Sequence, residues 1–382
     1  MKNTLIPILF LVVLSNGCTR LYKENVEDSM NSVPERLDSL MNEYYERDQF
    51  HGGIVVAQNG EPIYERYVGL ADRGWGIPID EKTKFDIASV NKSMIAALVM
   101  KAVEDGRLNI EDKLVDLLAG FPYVGNFHED ITLHNMLCHV SGLPDYDNLA
   151  DELRQYEFRT FKRMRFTNEA YVNFISLLPP VGKPNESFYY SNFAYHLLTI
   201  ILEETYNEPF ACILEEKLTK PLGLTNTMST DSNEMIVPQL AKAYQFQQES
   251  GEWTQNQFID LSIGRRIFST ASDLNRWAHV MDNPGWLKKE SLDLMKRNQL
   301  DQIAGNIGYG YGWAVVAGVR SNNLVDLGID LPYIIHGGST EGYKSMLINL
   351  NNGGYVISFL SNVGALTDEV AMAQEITKIL IR

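Results

Sequence analysis

Runs of apolar residues predict strands near both ends of the chain. Residues 53–57 are apolar throughout, and the Asn59-Gly60 pair behind them is a strong signal for a tight hairpin, so residues 62–68 are predicted to return as the second strand. Near the other end, Asn352-Gly353 marks the last hairpin. Three late strands are predicted on the same grounds: residues 311–319, 344–350 and 355–360.

Helical periodicity dominates much of the remaining sequence. Apolar residues share one face within residues 35–47, which predicts a helix. Residues 94–100 are apolar on every face, as in a helix buried in a core, and this helix is predicted to open at Ser89 and to stop near Gly106. Two further helices are predicted: residues 193–202 and the residues from 367 onward.

These elements predict an α+β architecture, with one antiparallel sheet built from both ends of the chain, helices that flank it, and an inserted, mostly helical subdomain. We assign residues 35–115 and 296–382 to the sheet part and residues 116–295 to the helical part of one domain covering residues 35–382. A site is expected in the cleft between the two parts.

Composition narrows the choice of function. The chain has 382 residues, of which 45% are hydrophobic, which is enough for a large core. Its net charge of −16 argues against nucleic acid as a partner, because binding to phosphates requires a basic surface. The spacing of His, Cys, Asp and Glu predicts no metal site, and no cofactor is expected.

The N-terminus resembles an export signal. Lys2 supplies a positive end, and residues 5–14 form an apolar run too short to span a bilayer. Small residues then lead to Cys18, an arrangement similar to a bacterial lipoprotein signal, in which residues 1–17 are removed and the cysteine is lipidated. We therefore expect an exported protein that is anchored in a membrane through Cys18, faces the periplasm or the cell surface, and has residues 18–34 as a tether. Ordinary secretion with an incidental cysteine is the alternative.

Cys138 and Cys212 could pair in an exported protein. Both lie in apolar runs, however, which favours two separately buried free thiols. We therefore expect no disulfide between them.

Ser89 and Lys92 are the first candidates for chemistry. Three residues apart on a helix, they lie on one face about one turn apart, so the lysine amine can reach the serine hydroxyl. Serine becomes a good nucleophile when a base takes its proton, and burial can lower the pKa of a lysine far enough to make it that base. The alternative is a helix N-cap serine followed by a solvated lysine.

Tyr190 and Asn192 add a phenol and an amide just before a predicted apolar helix. A phenol can transfer a proton if nearby cations lower its pKa, and the amide can orient a substrate carbonyl or the lysine. The Tyr-x-Asn pattern also occurs at Tyr146 and Tyr171, but Tyr190 is preferred because a loop rich in Pro and Gly precedes it.

His336, Gly338 and Ser339 begin or flank a late strand. The glycines at 337 and 338 would let a backbone approach a ligand closely. The backbone N–H of Ser339 could then join that of Ser89 in an oxyanion hole.

The order Ser-x-x-Lys, Tyr-x-Asn, His-x-Gly resembles the serine beta-lactamase-related hydrolases, which include class C beta-lactamases, D-alanyl-D-alanine carboxypeptidases, D-aminopeptidases, related esterases and penicillin-binding proteins. The similarity runs from about residue 35 to residue 380. Further segments are similar to the family: residues 85–89, 131–133, 139–144 and 269–274.

The resemblance implies a beta-lactamase/transpeptidase-like fold and a role for each motif. It implies that Ser89 is acylated, and that Lys92 and Tyr190 transfer its proton and that of the leaving group. Asn192 would position the substrate and the lysine. The substrate-binding strand would contribute His336, Gly338 and Ser339, with the Ser339 N–H in the oxyanion hole.

Two departures from the family are expected to matter. His336 stands where many members have lysine, which weakens a fixed positive charge and with it the recognition of a substrate carboxylate. Arg265 and Arg266 occupy a turn where the family often has glycine. They could bind an acidic group, but we expect them to lie in solvent.

The sequence thus predicts a metal-independent serine hydrolase that acts through an acyl-enzyme on amides or esters. The predicted substrates are D-amino-acid or peptidoglycan-type peptides, or beta-lactams, and His336 favours a peptidase or an esterase over a beta-lactamase. A catalytically silent, penicillin-binding-like sensor of cell-wall fragments is the alternative.

Overall fold

The computed structural model describes residues 32–232, 234–256, 260–262, 265–300, 303, 305, 307–318, 325–340, 342–350 and 353–381, without the side chains of residues 154–159. The predicted signal segment, Cys18 and the predicted tether as far as residue 31 lie outside the described residues. Within the described residues, no helix is long and apolar enough to cross a membrane.

The strands lie in two stretches of the described chain, residues 52–86 and residues 228–361. In chain order they are β1 (Gly52–Gln58), β2 (Glu61–Val68), β3 (Leu70–Asp72), β4 (Ile77–Pro78), β5 (Phe85–Asp86), β6 (Met228–Ser229), β7 (Tyr244–Gln247), β8 (Glu252–Gln255), β9 (Ile267–Ser269), β10 (Ala314–Ala317), β11 (Pro332–Thr340), β12 (Tyr343–Leu350) and β13 (Tyr355–Ser361).

Helices cover most of the middle of the described chain and lie at both ends of the described residues. They are α1 (Val33–Glu46), α2 (Asn91–Glu104), α3 (Leu114–Leu117), α4 (Leu133–Leu137), α5 (Asp151–Arg163), α6 (Asn168–Ser176), α7 (Asn192–Tyr206), α8 (Phe210–Leu214), α9 (Lys220–Leu222), α10 (Ala271–Val280), α11 (Lys289–Lys296) and α12 (Glu369–Ile381). Short 3-10 turns occur at Ala88–Val90 and Tyr146–Asn148, and a π-helical turn at Glu215–Thr219.

The main sheet joins the two ends of the chain, as predicted. Its strand order is β10-β11-β12-β13-β1-β2, and every neighbouring pair is antiparallel. The pairing of Gly52 with Ser361 closes β1 onto β13. Asn59 (φ 52°) and Gly60 (φ 87°) both have positive φ, as a tight turn between β1 and β2 requires. The α+β fold class is therefore confirmed.

Helix α2 runs through the core and carries the site at its first turn. Its residues from Lys92 to Met100 are buried, which confirms the prediction from the apolar run. It packs against α7, while α10 packs on the sheet at β1 and β13. Asn275 of α10 ties these layers together, because its amide donates to the backbone carbonyls of Val55 and Val356.

The structure differs from the sequence-based expectations at three places. Helix α2 begins at Asn91, so Ser89 lies in the preceding 3-10 turn. Strand β11 extends well to either side of His336, because its glycines pair in register with β12. Cys138 is buried, but the burial predicted for Cys212 is wrong, because the short helix α8 turns other residues inward: Phe210, Ile213 and Leu214. Both thiols are free.

Candidate active site

Ser89 is held at the end of a constrained turn. Its neighbour Ala88 has a φ of 46°, a left-handed conformation that is costly for a residue with a Cβ. The Asp86 carboxylate stabilises that turn by accepting a hydrogen bond of 2.8 Å from the Ala88 N–H. Arg266 in turn lies 2.9 Å from Asp86. The turn presents Ser89, which is partly exposed, to the cleft.

Lys92 lies beside that hydroxyl in a dry environment. Its Nζ is 3.3 Å from Ser89 Oγ and donates a 2.8 Å hydrogen bond to Asn192 Oδ1. Only 3% of the residue is exposed, and burial lowers the pKa of the amine to about 7, against the opposing effect of the Asp145 charge. The amine can therefore be neutral near physiological pH, as a base toward serine must be.

Tyr190 is the third of the predicted catalytic side chains at Ser89. Its hydroxyl hydrogen-bonds with Ser89, and the Lys92 amine lies 4.9 Å from the centre of its ring. Burial raises the pKa of the phenol above its usual value, so the condition considered from the sequence, a pKa lowered by nearby cations, is not met. The physical reason is that the surrounding protein disfavours the phenolate. Tyr190 is therefore a neutral phenol that can donate a proton.

A loop contact explains why Tyr190 and Asn192 reach the site. Between them, Ser191 donates through Oγ to the Pro144 carbonyl at 2.7 Å and caps α7 by accepting from the Ala194 N–H at 3.0 Å. The Ser191 N–H also donates to Nδ1 of His139. The segment before α7 is thus attached to residues 139–144, which places Tyr190 at Ser89 and Asn192 at Lys92.

Asn192 has a second partner behind it. Its backbone N–H and its Nδ2 donate to the two oxygens of Asp145, at 3.0 and 2.9 Å. Burial raises the pKa of this carboxyl, whereas the hydrogen bonds and Lys92 act in the opposite direction. Asp145 is the most informative residue that the sequence-based analysis missed. The segment that carries the family resemblance ends at Pro144, one position before it.

Strand β11 forms the opposite wall, and Gly338 brings it close to Ser89. A Cβ built at Gly338 would lie 2.2 Å from Ser345 Oγ, 2.6 Å from the Ile87 carbonyl oxygen and 3.0 Å from the Ser89 nitrogen. Ser345 Oγ also donates to that carbonyl at 2.7 Å, which locks the turn onto β12. The exposed Ser339 follows in the strand and lines the same cavity as Ser89.

His336 is buried and uncharged. Its Nδ1 donates to the Gly337 carbonyl at 2.7 Å, and its Nε2 accepts from the Tyr309 hydroxyl at 3.1 Å. Burial and the neighbouring Lys92 lower its pKa to about 3. Both ring nitrogens are therefore occupied, and the position supplies no positive charge at neutral pH, in line with the expected loss of a carboxylate-binding cation.

Two cavities meet at Ser89. One of about 290 Å³ is lined mainly by aromatic and aliphatic groups, among them Tyr190, Tyr309 and Ile335. The other, of about 250 Å³, is lined by charged side chains: Asp86, Lys162, Asp260, Arg265 and Arg266.

The expectation that Arg265 and Arg266 lie in solvent is wrong. Their side chains are only 14% and 22% exposed. Arg265 lies 2.6 Å from Glu203, and Arg266 lies beside Asp86, because each guanidinium finds a carboxylate of the protein itself. They are part of the wall of the second cavity.

His139 and Tyr309 are further residues at the site that the sequence did not single out for function. The His139 ring packs 4.3 Å from Tyr190 and 4.9 Å from Tyr309, measured between ring centres. The residues next to His139 and Tyr309 in the sequence do not predict these ring contacts, because the contacts join segments that are far apart in the chain. Among the described residues, no group of three His, Cys, Asp or Glu side chains could hold a metal ion.

Comparison with known proteins agrees with this geometry. The family model described as beta-lactamase matches residues 37–380. The chain is 25% identical to penicillin-binding protein 4* of Bacillus subtilis (strain 168), over 86% of this chain and 71% of that protein. It is also 25% identical to esterase EstB of Burkholderia gladioli, over 75% of this chain and 80% of that protein.

Solved structures show the same fold. The structure titled "EstCE1, a hydrolase with promiscuous acyltransferase activity" superposes with a TM-score of 0.75 at 20% identity, covering 94% of this chain and all of the other. Since the identity is low, this match concerns the fold. It agrees with the beta-lactamase/transpeptidase-like architecture implied by the sequence motifs.

The close approach at Gly338 leads to a prediction. Gly338→Ala should push β11 away from Ser89 and weaken the predicted oxyanion hole, so phosphonylation of Ser89 by a fluorophosphonate should slow by about 10²-fold, the scale of one lost oxyanion donor. Gly337→Ala is the matched control, because its Cβ would make only ordinary contacts, with the Met346 side chain at 3.5 Å and the Ser345 carbonyl oxygen at 3.9 Å. Equal labelling rates for the two variants would contradict the assigned role of β11.

Proposed function

The chain belongs to the beta-lactamase family and is a serine hydrolase, and we propose that Ser89 is its acylated nucleophile and Lys92 the base that activates it. The observation that carries this proposal is the position of the Lys92 amine. It touches both Ser89 Oγ and Asn192 Oδ1, and burial lowers its pKa to about 7. A neutral amine at hydrogen-bond distance from a serine hydroxyl is what nucleophilic catalysis by serine requires.

The reaction follows from these contacts. As Ser89 Oγ attacks the substrate carbonyl, its proton passes to Lys92, and the oxyanion is held by the N–H groups of Ser89 and Ser339. The Tyr190 phenol donates its proton to the leaving amine or alcohol and regains one from Lys92. Water then attacks the ester carbonyl on Ser89 and loses a proton to the same pair of groups. They pass this proton to Ser89 Oγ as the acyl bond breaks, so that the acid product leaves and the serine hydroxyl is restored.

We place amides and esters with a small acyl group first among substrates, and D-amino-acid or peptidoglycan-type peptides first among the amides. The neutral His336 offers no cation for the carboxylate of a penicillin, which favours peptidase or esterase activity over beta-lactamase activity. The names of the two relatives, a penicillin-binding protein and an esterase, are compatible with this preference.

A substrate panel tests this proposal. The purified protein should hydrolyse p-nitrophenyl acetate and D-alanyl peptides, with little activity on the matched L-alanyl peptides and slow turnover of a chromogenic cephalosporin. Ser89→Ala should remove the activity while the thermal transition stays in place. Rapid steady turnover of the cephalosporin would contradict the proposed preference. Absence of both turnover and any penicillin or fluorophosphonate adduct on Ser89 would refute the hydrolase mechanism.

We also propose that the protein is exported and anchored by a lipid on Cys18. This rests on the sequence of the first 18 residues, since they lie outside the described structure. In bacteria expressing the full chain and fed a radiolabelled fatty acid, the wild-type protein should be labelled and sediment with membranes. Cys18→Ser should lose the label. Equal labelling of the two would contradict the anchor, and an unlabelled, secreted wild-type protein would indicate ordinary secretion.

A further inference from the structure

Asp145 lies directly behind the lysine and its amide partner. It precedes the 3-10 turn Tyr146–Asn148, and its two oxygens accept from the backbone N–H and the Nδ2 of Asn192. Asn192 then accepts from Lys92 through Oδ1. Carboxylate, amide and amine thus form one chain of hydrogen bonds that ends at Ser89.

We propose that Asp145 is a positioning residue for the reaction: its carboxylate fixes which way the Asn192 amide faces, and its charge acts on the Lys92 amine through that amide. This inference rests on the proposed function, because it assigns how the base at Ser89 is prepared. Asp145 would therefore influence the reaction at Ser89 only indirectly, through its effects on Asn192 and Lys92.

The hydrogen-bond inventory shows why the orientation matters. A carboxylate has only acceptors, so the Asn192 group that faces Asp145 must be the NH2, and the group that faces Lys92 must be the carbonyl oxygen. A neutral amine has two hydrogens and one lone pair. When Lys92 donates a hydrogen to Asn192, its lone pair stays available for the Ser89 proton. If the amide were reversed, its NH2 would take up that lone pair.

The ionisable groups around Lys92 leave Asp145 as the main electrostatic influence on the amine. The histidines that face it have pKa values lowered by burial, and the tyrosines have pKa values raised by burial, so all are neutral: His139, His196 and His336, and Tyr190 and Tyr195. The charged side chains that share its cavity pair with opposite charges nearby: Asp86, Lys162, Asp260, Arg265 and Arg266.

Asp145 also helps to close the 3-10 turn, and a useful variant must keep that structural contact. Its backbone N–H and Asn148 Oδ1 hydrogen-bond at 2.9 Å, which closes the 3-10 turn. Asparagine caps such turns about as well as aspartate does. Asp145→Asn therefore keeps the turn and the overall shape, and changes only the charge and one acceptor.

The first test is the pH dependence of Ser89 labelling by a fluorophosphonate in the full-length protein and in Asp145→Asn. Loss of the negative charge makes the protonated lysine less favourable, so the acidic limb of the rate profile should move to lower pH by about one unit. The plateau rate should fall by on the order of 10- to 100-fold, because the Asn192 amide is no longer held in one orientation. Asp147→Asn, which removes an exposed carboxylate two positions away, is the control whose limb should not move.

The second test exchanges the two side chains. In the double variant Asp145→Asn, Asn192→Asp, the amide at 145 donates to the carboxylate at 192, and that carboxylate accepts from Lys92. The hydrogen bonds that link positions 145, 192 and 92 are preserved, while the negative charge moves next to the amine. The acidic limb should then move about one unit above that of the wild type. Because this variant keeps the hydrogen bonds between the two exchanged side chains and the lysine, it decides the question even if the single variant does not fold.

The outcomes separate the two proposals. Opposite shifts of the limb in the single and the double variant support the role of Asp145. Limbs that coincide with the wild-type limb in both variants would overturn this inference and leave the proposed function intact. A wild-type protein that is not labelled at any pH would overturn both.

Discussion

The desolvation of one amine is the interaction on which this site depends. Lys92 is enclosed by the core, and a buried ammonium without a close counter-ion is disfavoured relative to the free amine. Its nearest polar partners are the Ser89 hydroxyl and the Asn192 carbonyl oxygen, both neutral. The nearest influential carboxylate, Asp145, is one side chain further away. That separation keeps the amine poised between its two protonation states instead of locked in an ion pair.

The sheet and the helical part of the fold both contribute residues to the site. The sheet, built from the two ends of the chain, brings β11 against the Ser89 turn, and Gly338 allows a contact that any side chain would prevent. Helix α7 and the loop before it supply Asn192 and Tyr190 from the other side. Because the side chains gathered at the site come from segments far apart in sequence, the cleft exists only in the folded protein.

Local sequence patterns predicted a large part of the fold and of the candidate site. The apolar run after Ser89 indicated a buried helix, because a helix with no polar face has no side suited to water. The Asn59-Gly60 pair indicated a hairpin, because both residues tolerate positive φ. Ser89 and Lys92 could be linked because three residues of separation is a local distance. The exact start of α2 could not be predicted, since the 3-10 turn is imposed by Asp86 and by the packing of β11.

What the sequence could not reveal depends on contacts between distant segments. Asp145 meets Asn192 across 47 positions, and no local pattern marks that pairing. The raised pKa of Tyr190 and the pairing of Arg265 with Glu203 likewise follow from burial. The composition of the chain does not show which individual residues are buried. Cys212 shows the opposite error. Its sequence neighbours are apolar, but it lies on the outer face of a short helix and is therefore exposed.

The most direct test of the central claim is a titration of the Lys92 amine by NMR in protein carrying 15N-labelled lysine side chains, with Lys92→Arg used for assignment. Burial should make this one lysine lose its proton near pH 7, while unperturbed lysines titrate at about 10.4. A Lys92 resonance that titrates together with the unperturbed lysines would contradict the account, because a fully charged ammonium at neutral pH could not accept the proton of Ser89.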